Sequence, residues 1–586
     1  WGTDTVLYFD PAADQLYFGW FQPTNFAIGE TDGSTRIAIL GNDQTYTLDG
    51  VGLGQMSTAN IIALDPATLT TWQNAINGAA PVVDPPVVDP PVVDPPAVTP
   101  PVVDPPVVTP PVVTPPVVTP PVVTPPVVTP PVVTPPVVTP GDPTGTGSAI
   151  AAHDKVLAAY FPEWGIYDRD FQVADIPADQ LTHVIYSFLN VTSNGEVALY
   201  DSYAAVDKRF SAADSVSGEA DLWYYPPGDP RAEQTVWGNF NQIALLKEEN
   251  PHLRTSVAIG GWTLSGNFSN VAATAEGRET MANSIVSFLD TYQMFDGVDF
   301  DWEYPGGGGL ASNSVSPDDG ENYAELLALV REKLDVLGEQ NGITYEISVA
   351  APGGYDKIAN FNAAGLAPSV DFFNLMSYDF HGTWEDTTGH QSAVTGDPNG
   401  YDMATAVSLY LAAGVDPDKI VLGAPLYTRG WSGVADGGDG GYLEPAGGGA
   451  PGTFEAGVYD YKDLLAQVQD PASDWVLYWD DDAHAAYLYD PTKKLFTSFE
   501  TPTSVAQKAQ WAEDLGLGGM MFWDLSNDAT GSAESLITAA YRSWVLGQDL
   551  DSIRAQSSLT GERIIGGDGV IAELPTNTGG SFTIQI

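Results

Sequence analysis

The run Phe295-Asp296-Gly297-Val298-Asp299-Phe300-Asp301-Trp302-Glu303-Tyr304 decides how the chain is read. Three of its acids fall at i, i+2 and i+4 among Val298, Phe300 and Trp302. A strand therefore sends Asp299, Asp301 and Glu303 to one side and the bulky apolar residues to the other. Same-side neighbours lie roughly 7 Å apart along a strand, so the three carboxylates repel unless protons are shared, and the pKa of the outermost rises. A carboxyl tuned in this way is a general acid. A solvated acidic strand would not alternate its acids with buried-type residues. Asp296 has the opposite parity and reads as a structural support.

Outward from this run, apolar strand-like stretches recur at Val156 to Phe161, Val184 to Leu189, Ser256 to Ile259, Gly297 to Trp302, Ile347 to Ala350, Phe372 to Tyr378, Ile420 to Ala424 and Gly519 to Phe522. Most are followed by a helical stretch. The clearest helix is Tyr323 to Leu337, where Leu326, Leu327, Val330, Leu334 and Leu337 return to one face. Eight such units predict an α/β fold, a (β/α)8 TIM barrel, with the acidic run ending at the face where barrel active sites lie. The gap before the last strand is too long for one helix. Residues 428–510 are therefore expected to form a small inserted α+β domain on the rim, with Gly437 to Gly452 as a flexible loop at its edge.

The barrel domain is assigned to residues 148–545. Before it, residues 81–140 are twelve copies of Pro-Val-Val-(Asp or Thr)-Pro, with Ala97 replacing one Val. Paired prolines fix φ and remove donors, so residues 81–147 read as an extended polyproline spacer, reaching about 190 Å over the repeats. Residues 1–80 show short β-like runs (Val6 to Phe9, Leu16 to Phe21, Arg36 to Leu40, Thr45 to Leu48) and a helix starting at Asp65-Pro66, which together suggest a small β-rich module. Tyr17, Trp20, Phe21 and Trp72 could give it a sugar-stacking face or be its core. A tethered module of this kind suits polymer binding. Residues 546–586 read as a tail or the remnant of another module.

Composition narrows the function. The 586 residues carry 21 Lys plus Arg against 76 Asp plus Glu, a formal net charge of −55, which argues against nucleic-acid binding and against anionic membrane surfaces. No run of eighteen apolar residues reads as a membrane span. There is no cysteine, so disulfides, thiolate metal sites and cysteine nucleophiles are out. The six His are scattered without ligand spacing, and neither a metal nor a cofactor is expected. The first residue is Trp1, which reads as a processed amino terminus.

The segment DGVDFDWE fits the DxxDxDxE signature of the family 18 glycoside hydrolases, the chitinases, and the chain resembles that family through further segments. These are Tyr160-Phe161-Pro162-Glu163-Trp164, Ile259-Gly260-Gly261-Trp262-Thr263, Met376 to Glu385, Tyr427-Thr428-Arg429-Gly430-Trp431 and Gly518 to Trp523. The resemblance covers nearly all of residues 153–545. The insertion before the last strand is similar to that of bacterial chitinases with a deep cleft.

The resemblance implies a secreted, monomeric chitinase acting on chitin or chito-oligosaccharides by retaining, substrate-assisted hydrolysis. It makes Glu303 the acid and base, Asp301 the partner of the acetamido N–H, Asp299 the group behind it, and Tyr378 the donor to the acetamido oxygen. Trp523 would be the floor of the −1 sugar site. Asp379, Met376, Trp262, Trp164, Trp384, Tyr427, Arg429, Tyr160 and Phe188 would complete the substrate-binding residues. An endo-β-N-acetylglucosaminidase acting on N-glycans, a non-catalytic chitin-binding lectin of the same fold and a cell-surface adhesin are the alternative readings. Ala258 and Ala159 stand where members often carry hydroxyls, so hydroxyl support to Asp299 from those two positions is expected to be absent.

Overall fold

The computed structural model describes residues 155–226, 228–559, 561–566 and 572–573, together with 5–7, 16–19, 26–31, 33–39, 45–48, 51–57, 60–63 and 66–77. The spacer over residues 81–147 lies outside the described residues, as do Trp20 and Phe21. The chain divides into two units, Trp1–Pro135 and Pro136–Ile586.

In the second unit eight parallel strands close on themselves. They are β1 (Val156–Pro162), β2 (His183–Val191), β3 (Arg254–Gly260), β4 (Gly297–Asp301), β5 (Glu346–Pro352), β6 (Phe372–Met376), β7 (Ile420–Pro425) and β8 (Gly519–Trp523). Each pairs with the next, and β8 pairs with β1 from Gly519↔Val156 onward, which completes the barrel. Every residue of β4 is buried, because one face meets the barrel interior and the other meets helices. Val298, Phe300 and Trp302 belong to the outer cluster shared with the helix Asp319–Asn341, whose Tyr323 ring lies 6.2 Å from Phe300 and 5.1 Å from Trp302. That helix buries Leu326, Leu327, Val330, Leu334 and Leu337, the face expected from its periodicity, each contributing about 1.5–3 kcal/mol. It stops at Gly342, where φ of 70° suits a residue without Cβ. The opposite parity of β4 sends Asp299 and Asp301 inward.

Between β7 and β8 the chain builds an antiparallel sheet from Arg429–Ser432, Leu495–Phe499, Ala485–Asp490 and Val476–Asp480, plus the helix Tyr461–Val468. Trp431, Val434, Tyr478, Tyr487, Tyr489 and Phe496 form its core. Gly448–Gly449 pairs with the first of these strands, so part of the glycine-rich stretch is ordered into the sheet. Arg563–Ile565 adds a parallel strand beside Val476–Asp480, which ties residues read as a tail into the insert. The last inserted strand ends at Phe499, and the helix Pro502–Asp514 already packs on β8.

A buried ion pair sits where the insert rejoins the barrel. Lys508 and Glu500 are 0% and 2% exposed and bonded to each other. Lys508 Nζ also donates to the Ser392 carbonyl at 2.7 Å, and Ser504 Oγ donates to Glu500 at 2.6 Å.

The first unit carries a sheet in the order Thr5–Leu7, Thr45–Leu48, Ser34–Ile39, Phe26–Thr31, a two-stranded parallel pair Leu16–Gly19 with Ile61–Ala63, and the helix Pro66–Asn77. Its core is Phe26, Ile37, Leu48, Val51, Leu53, Met56, Ile61 and Trp72. Trp72 is fully buried and belongs to the core, the second of its two expected roles, in keeping with the small size of the unit. Among the described residues no helix is long and apolar enough to cross a membrane.

Lys508→Met is expected to lower unfolding stability by about 3–5 kcal/mol, because it strands the Glu500 charge in the interior. The paired replacement Lys508→Met with Glu500→Leu should recover most of that loss. Urea denaturation of the three proteins checks this, and equal stability of wild type and the single variant would contradict it.

Candidate active site

Strand β4 delivers the acids to the carboxyl end of the barrel. Asp299 lies deepest, fully buried, and accepts hydrogen bonds from Tyr160 Oη at 2.8 Å, Ser348 Oγ at 2.6 Å and Asn374 Nδ2 at 3.2 Å. Those donors come from β1, β5 and β6. Ala258 faces Asp299 in register on β3 and brings no hydroxyl, while the hydroxyls that do reach Asp299 come from Tyr160 and Ser348. Burial raises the Asp299 carboxyl, and its three hydrogen bonds oppose that rise.

Asp301 is 5% exposed, and its Oδ1 meets no hydrogen-bond partner among the described residues. Burial, then the charges of Glu303 and Asp299, push it well above the usual carboxylate range. Glu303 follows just beyond the strand. Its backbone N–H donates to Ser265 Oγ at 2.9 Å, and its carbonyl accepts from Asn313 Nδ2 at 3.0 Å. Gly260 allows this close approach, since its φ is 107° and a Cβ there would stand 2.3 Å from the Asp301 carbonyl. Burial lifts the Glu303 carboxyl to about 7; a hydrogen bond from Tyr304 and the Lys357 ammonium lower it, while the Asp379 charge raises it. Asp296 stays at the far end of β4, bound by Lys247 Nζ at 2.6 Å and the Thr255 N–H at 2.9 Å, as a support.

The loop after β6 brings in Tyr378 and Asp379. The Tyr378 ring lies against β7, where Gly423 leaves it room: a Cβ there would stand 2.9 Å from Tyr378 Cε1. Asp379 takes a two-pronged bond from Arg429, with Nε to Oδ1 at 2.8 Å and Nη2 to Oδ2 at 2.6 Å. The same guanidinium lies 5.2 Å from the rings of both Trp384 and Tyr427, and Tyr427 meets Tyr378 edge-on at 6.3 Å. Met376 ends β6, partly buried.

Trp523 ends β8 among aromatics. Phe188 stacks under it at 5.6 Å, Tyr160 meets it edge-on at 5.4 Å, and Trp164 lies at 6.3 Å. Tyr160, Phe188 and Tyr427 were expected to contact substrate, but they are 1%, 8% and 7% exposed. In the free chain Tyr160 bonds to Asp299 and Phe188 stacks on Trp523, so both also back other residues of the site. Trp262 and Trp384, at 47% and 59% exposed, do present open indole faces. Ser348, Asn374, Ser265 and Asn313 escaped the sequence reading. The signal for the first two was a lone polar residue interrupting an apolar strand.

Residues 156–528 match the profile of the glycosyl hydrolases family 18. The chain belongs to that family. Chitinase A1 of Niallia circulans is 37% identical over 420 residues, covering 67% of this chain and 59% of that protein. Chitinase 1 of Aphanocladium album is 36% identical over 392 residues, covering 66% of this chain and 84% of that one. Among solved structures, chitinase ChiA74 from Bacillus thuringiensis superposes with a TM-score of 0.61 at 32% identity, over 67% of this chain and 70% of that one. The chain thus spans under two thirds of the first of these relatives. As a family 18 member it carries the full acidic signature, ending in Glu303.

The segment Tyr160 to Trp164 holds a further buried acid. Glu163 is 2% exposed, accepts from Tyr186 Oη at 2.9 Å, and is pushed up to about 8 by burial. A carboxyl protonated when folded but ionised when unfolded above its ordinary value of 4.5 loses stability as pH rises from 4.5 toward 8. Glu163→Gln should therefore increase the unfolding free energy at pH 8, by an amount on the order of a few kcal/mol, and change it little near pH 4.5. Differential scanning calorimetry at the two pH values tests this; an equal change at both would refute the assignment.

Proposed function

We propose that the protein is a secreted chitinase that hydrolyses β-1,4 links of chitin or its oligosaccharides with retention of configuration, the substrate's acetamido group serving as nucleophile. The observation that carries this is the pairing of Glu303, held near pH 7 by burial, with Asp301, whose buried Oδ1 has no partner within the described chain. A proton donor and an orphaned acceptor side by side fit a scissile glycosidic oxygen and an acetamido N–H.

In this mechanism Glu303 gives its proton to the glycosidic oxygen as the bond from it to the anomeric carbon breaks. The acetamido oxygen attacks that carbon from the opposite face and forms an oxazolinium ion. Asp301 accepts the acetamido N–H and offsets the developing positive charge, while Tyr378 donates to the acetamido oxygen and holds it in line. Asp299, saturated by Tyr160, Ser348 and Asn374, is the negative charge behind Asp301. Glu303, now a carboxylate, takes a proton from water as that water opens the ring and returns the acetamido group. Trp523 offers an indole floor to the apolar face of the reacting sugar, and the open faces of Trp262 and Trp384 suit neighbouring sugars. Trp164, Met376, Asp379 and Arg429 complete the walls. The acidic surface and lack of cysteine are compatible with work outside the cell on a neutral polymer.

Glu303→Gln should reduce kcat on chitin oligomers by at least roughly three orders of magnitude while leaving binding intact. In the wild type, kcat/KM should fall as pH rises through about 7, since the acid is then deprotonated. Near wild-type turnover by the variant would show that the assigned acid is wrong.

Stereochemistry tests the nucleophile. Two inversions give net retention, so proton NMR in the first minutes should show the β-anomer as the fresh product. A predominance of α-product would mean direct attack by water and would exclude the acetamido route.

A further inference from the structure

His381 is held between two carboxylates in the loop after β6. Its Nδ1 lies 2.8 Å from Glu385 Oε2 and its Nε2 lies 2.8 Å from Asp397 Oδ2. A neutral imidazole carries one N–H and one lone pair, so it can satisfy only one of these acceptors, and the other contact becomes oxygen lone pair against nitrogen lone pair. Both contacts together call for the imidazolium. The ring is 8% exposed, so water does not substitute freely for either partner.

Both ends of the bridge are anchored. Asp397 Oδ1 accepts the N–H groups of Asn399 at 2.8 Å and Tyr401 at 3.0 Å, just before the helix Met403–Ala412. Glu385 N–H donates to the Gly382 carbonyl at 3.0 Å, and the Glu385 carbonyl accepts Trp431 Nε1 at 3.3 Å from the inserted sheet. The bridge thus draws residues 381–397 into a closed loop. Within or beside that loop stand Tyr378, Asp379 and Trp384. The Trp384 indole covers Gly382 so closely that a Cβ there would fall 2.2 Å from the ring. Around His381, Glu385 and Asp397 are the charged groups in contact. Tyr401 stands edge-on at 6.4 Å, with Tyr355 and Asp356 behind it, and the nearby His390 is paired with Asp480 at 3.0 Å.

We propose that His381 is a positioning residue: as an imidazolium bridging Glu385 and Asp397 it closes the loop that presents Trp384, Asp379 and Tyr378 to the sugar chain, and its deprotonation loosens that wall. The inference rests on the chitin-oligomer reading above. Burial lowers the imidazole pKa, but the hydrogen bonds and charges of Asp397 and Glu385 outweigh this and raise it. The bridge is therefore complete at low pH and is lost as pH rises through the raised value, which places the change on the alkaline side of the ordinary histidine range.

The test uses the full chain carrying Glu303→Gln, which removes turnover and the titration of the acid. Its affinity for the N-acetylglucosamine hexamer is measured by calorimetry from about pH 6 to about pH 9. Affinity should weaken by about tenfold across that range, the worth of one charge-assisted hydrogen bond. Adding His381→Asn should give the weak value at every pH. Adding Glu385→Gln, which leaves the ring and Asp397 in place, should move the transition to lower pH, and it serves where the asparagine variant does not fold. A hexamer affinity that does not change with pH, or a pH dependence that survives both changes unaltered, would overturn the inference alone. Failure to bind the hexamer at any pH would overturn the substrate reading and this inference with it.

Discussion

Placing carboxylates inside a closed barrel is the constraint on which the rest of the site depends. Moving an ionised carboxylate out of water costs several kcal/mol unless donors replace the water, and Asp299, Asp301 and Glu303 are all buried. The barrel resolves this unevenly. Asp299 receives three donors from three other strands, Asp301 keeps an unpartnered oxygen, and Glu303 retains its proton to near neutral pH. The proposed chemistry draws on that gradient: the deepest acid has three donors, the middle one lacks a partner that a substrate N–H would supply, and the outermost keeps a proton near neutral pH.

Parity along β4 and the residue after it is what lets residues 298–302 serve two environments. Val298, Phe300 and Trp302 pack outward with Tyr323 and its helix, which fixes the strand, while Asp299 and Asp301 face inward. The acids can be held close together against their mutual repulsion because the apolar side of the strand is anchored by burial. The same logic recurs at Trp523, whose indole packs against the buried rings of Phe188 and Tyr160.

The inserted sheet shares an apolar seam with the barrel, since Tyr461, Leu464, Leu477, Trp479, Leu488 and Phe499 belong to the same buried cluster as the barrel strands and helices, and polar contacts pin its two ends. Arg429, the first residue of the insert, reaches back to Asp379, and Lys508 with Glu500 closes the return. Asp379 in turn raises the Glu303 carboxyl, so the insert is linked through one guanidinium to the electrostatics of the acid. A rim built this way adds a wall to the site and also tunes it.

The sequence by itself determined the barrel and the order of the acids and pointed to Glu303 as the proposed general acid, because each is written in local periodicity: period two on β4, period 3.6 from Tyr323 to Leu337, and eight apolar runs at strand length. It also marked the insert through the spacing between β7 and β8. It left open which aromatics are exposed and which are buried, since Trp384 and Tyr160 look alike in a motif yet are 59% and 1% exposed. Tertiary structure alone decided that, along with the donors Ser348 and Asn374, the strand Arg563–Ile565 in the inserted sheet, and the carboxylates around His381. The reason is physical. These contacts join residues 49 to 139 positions apart in the case of Asp299, and they exist only once barrel closure has set the register between strands.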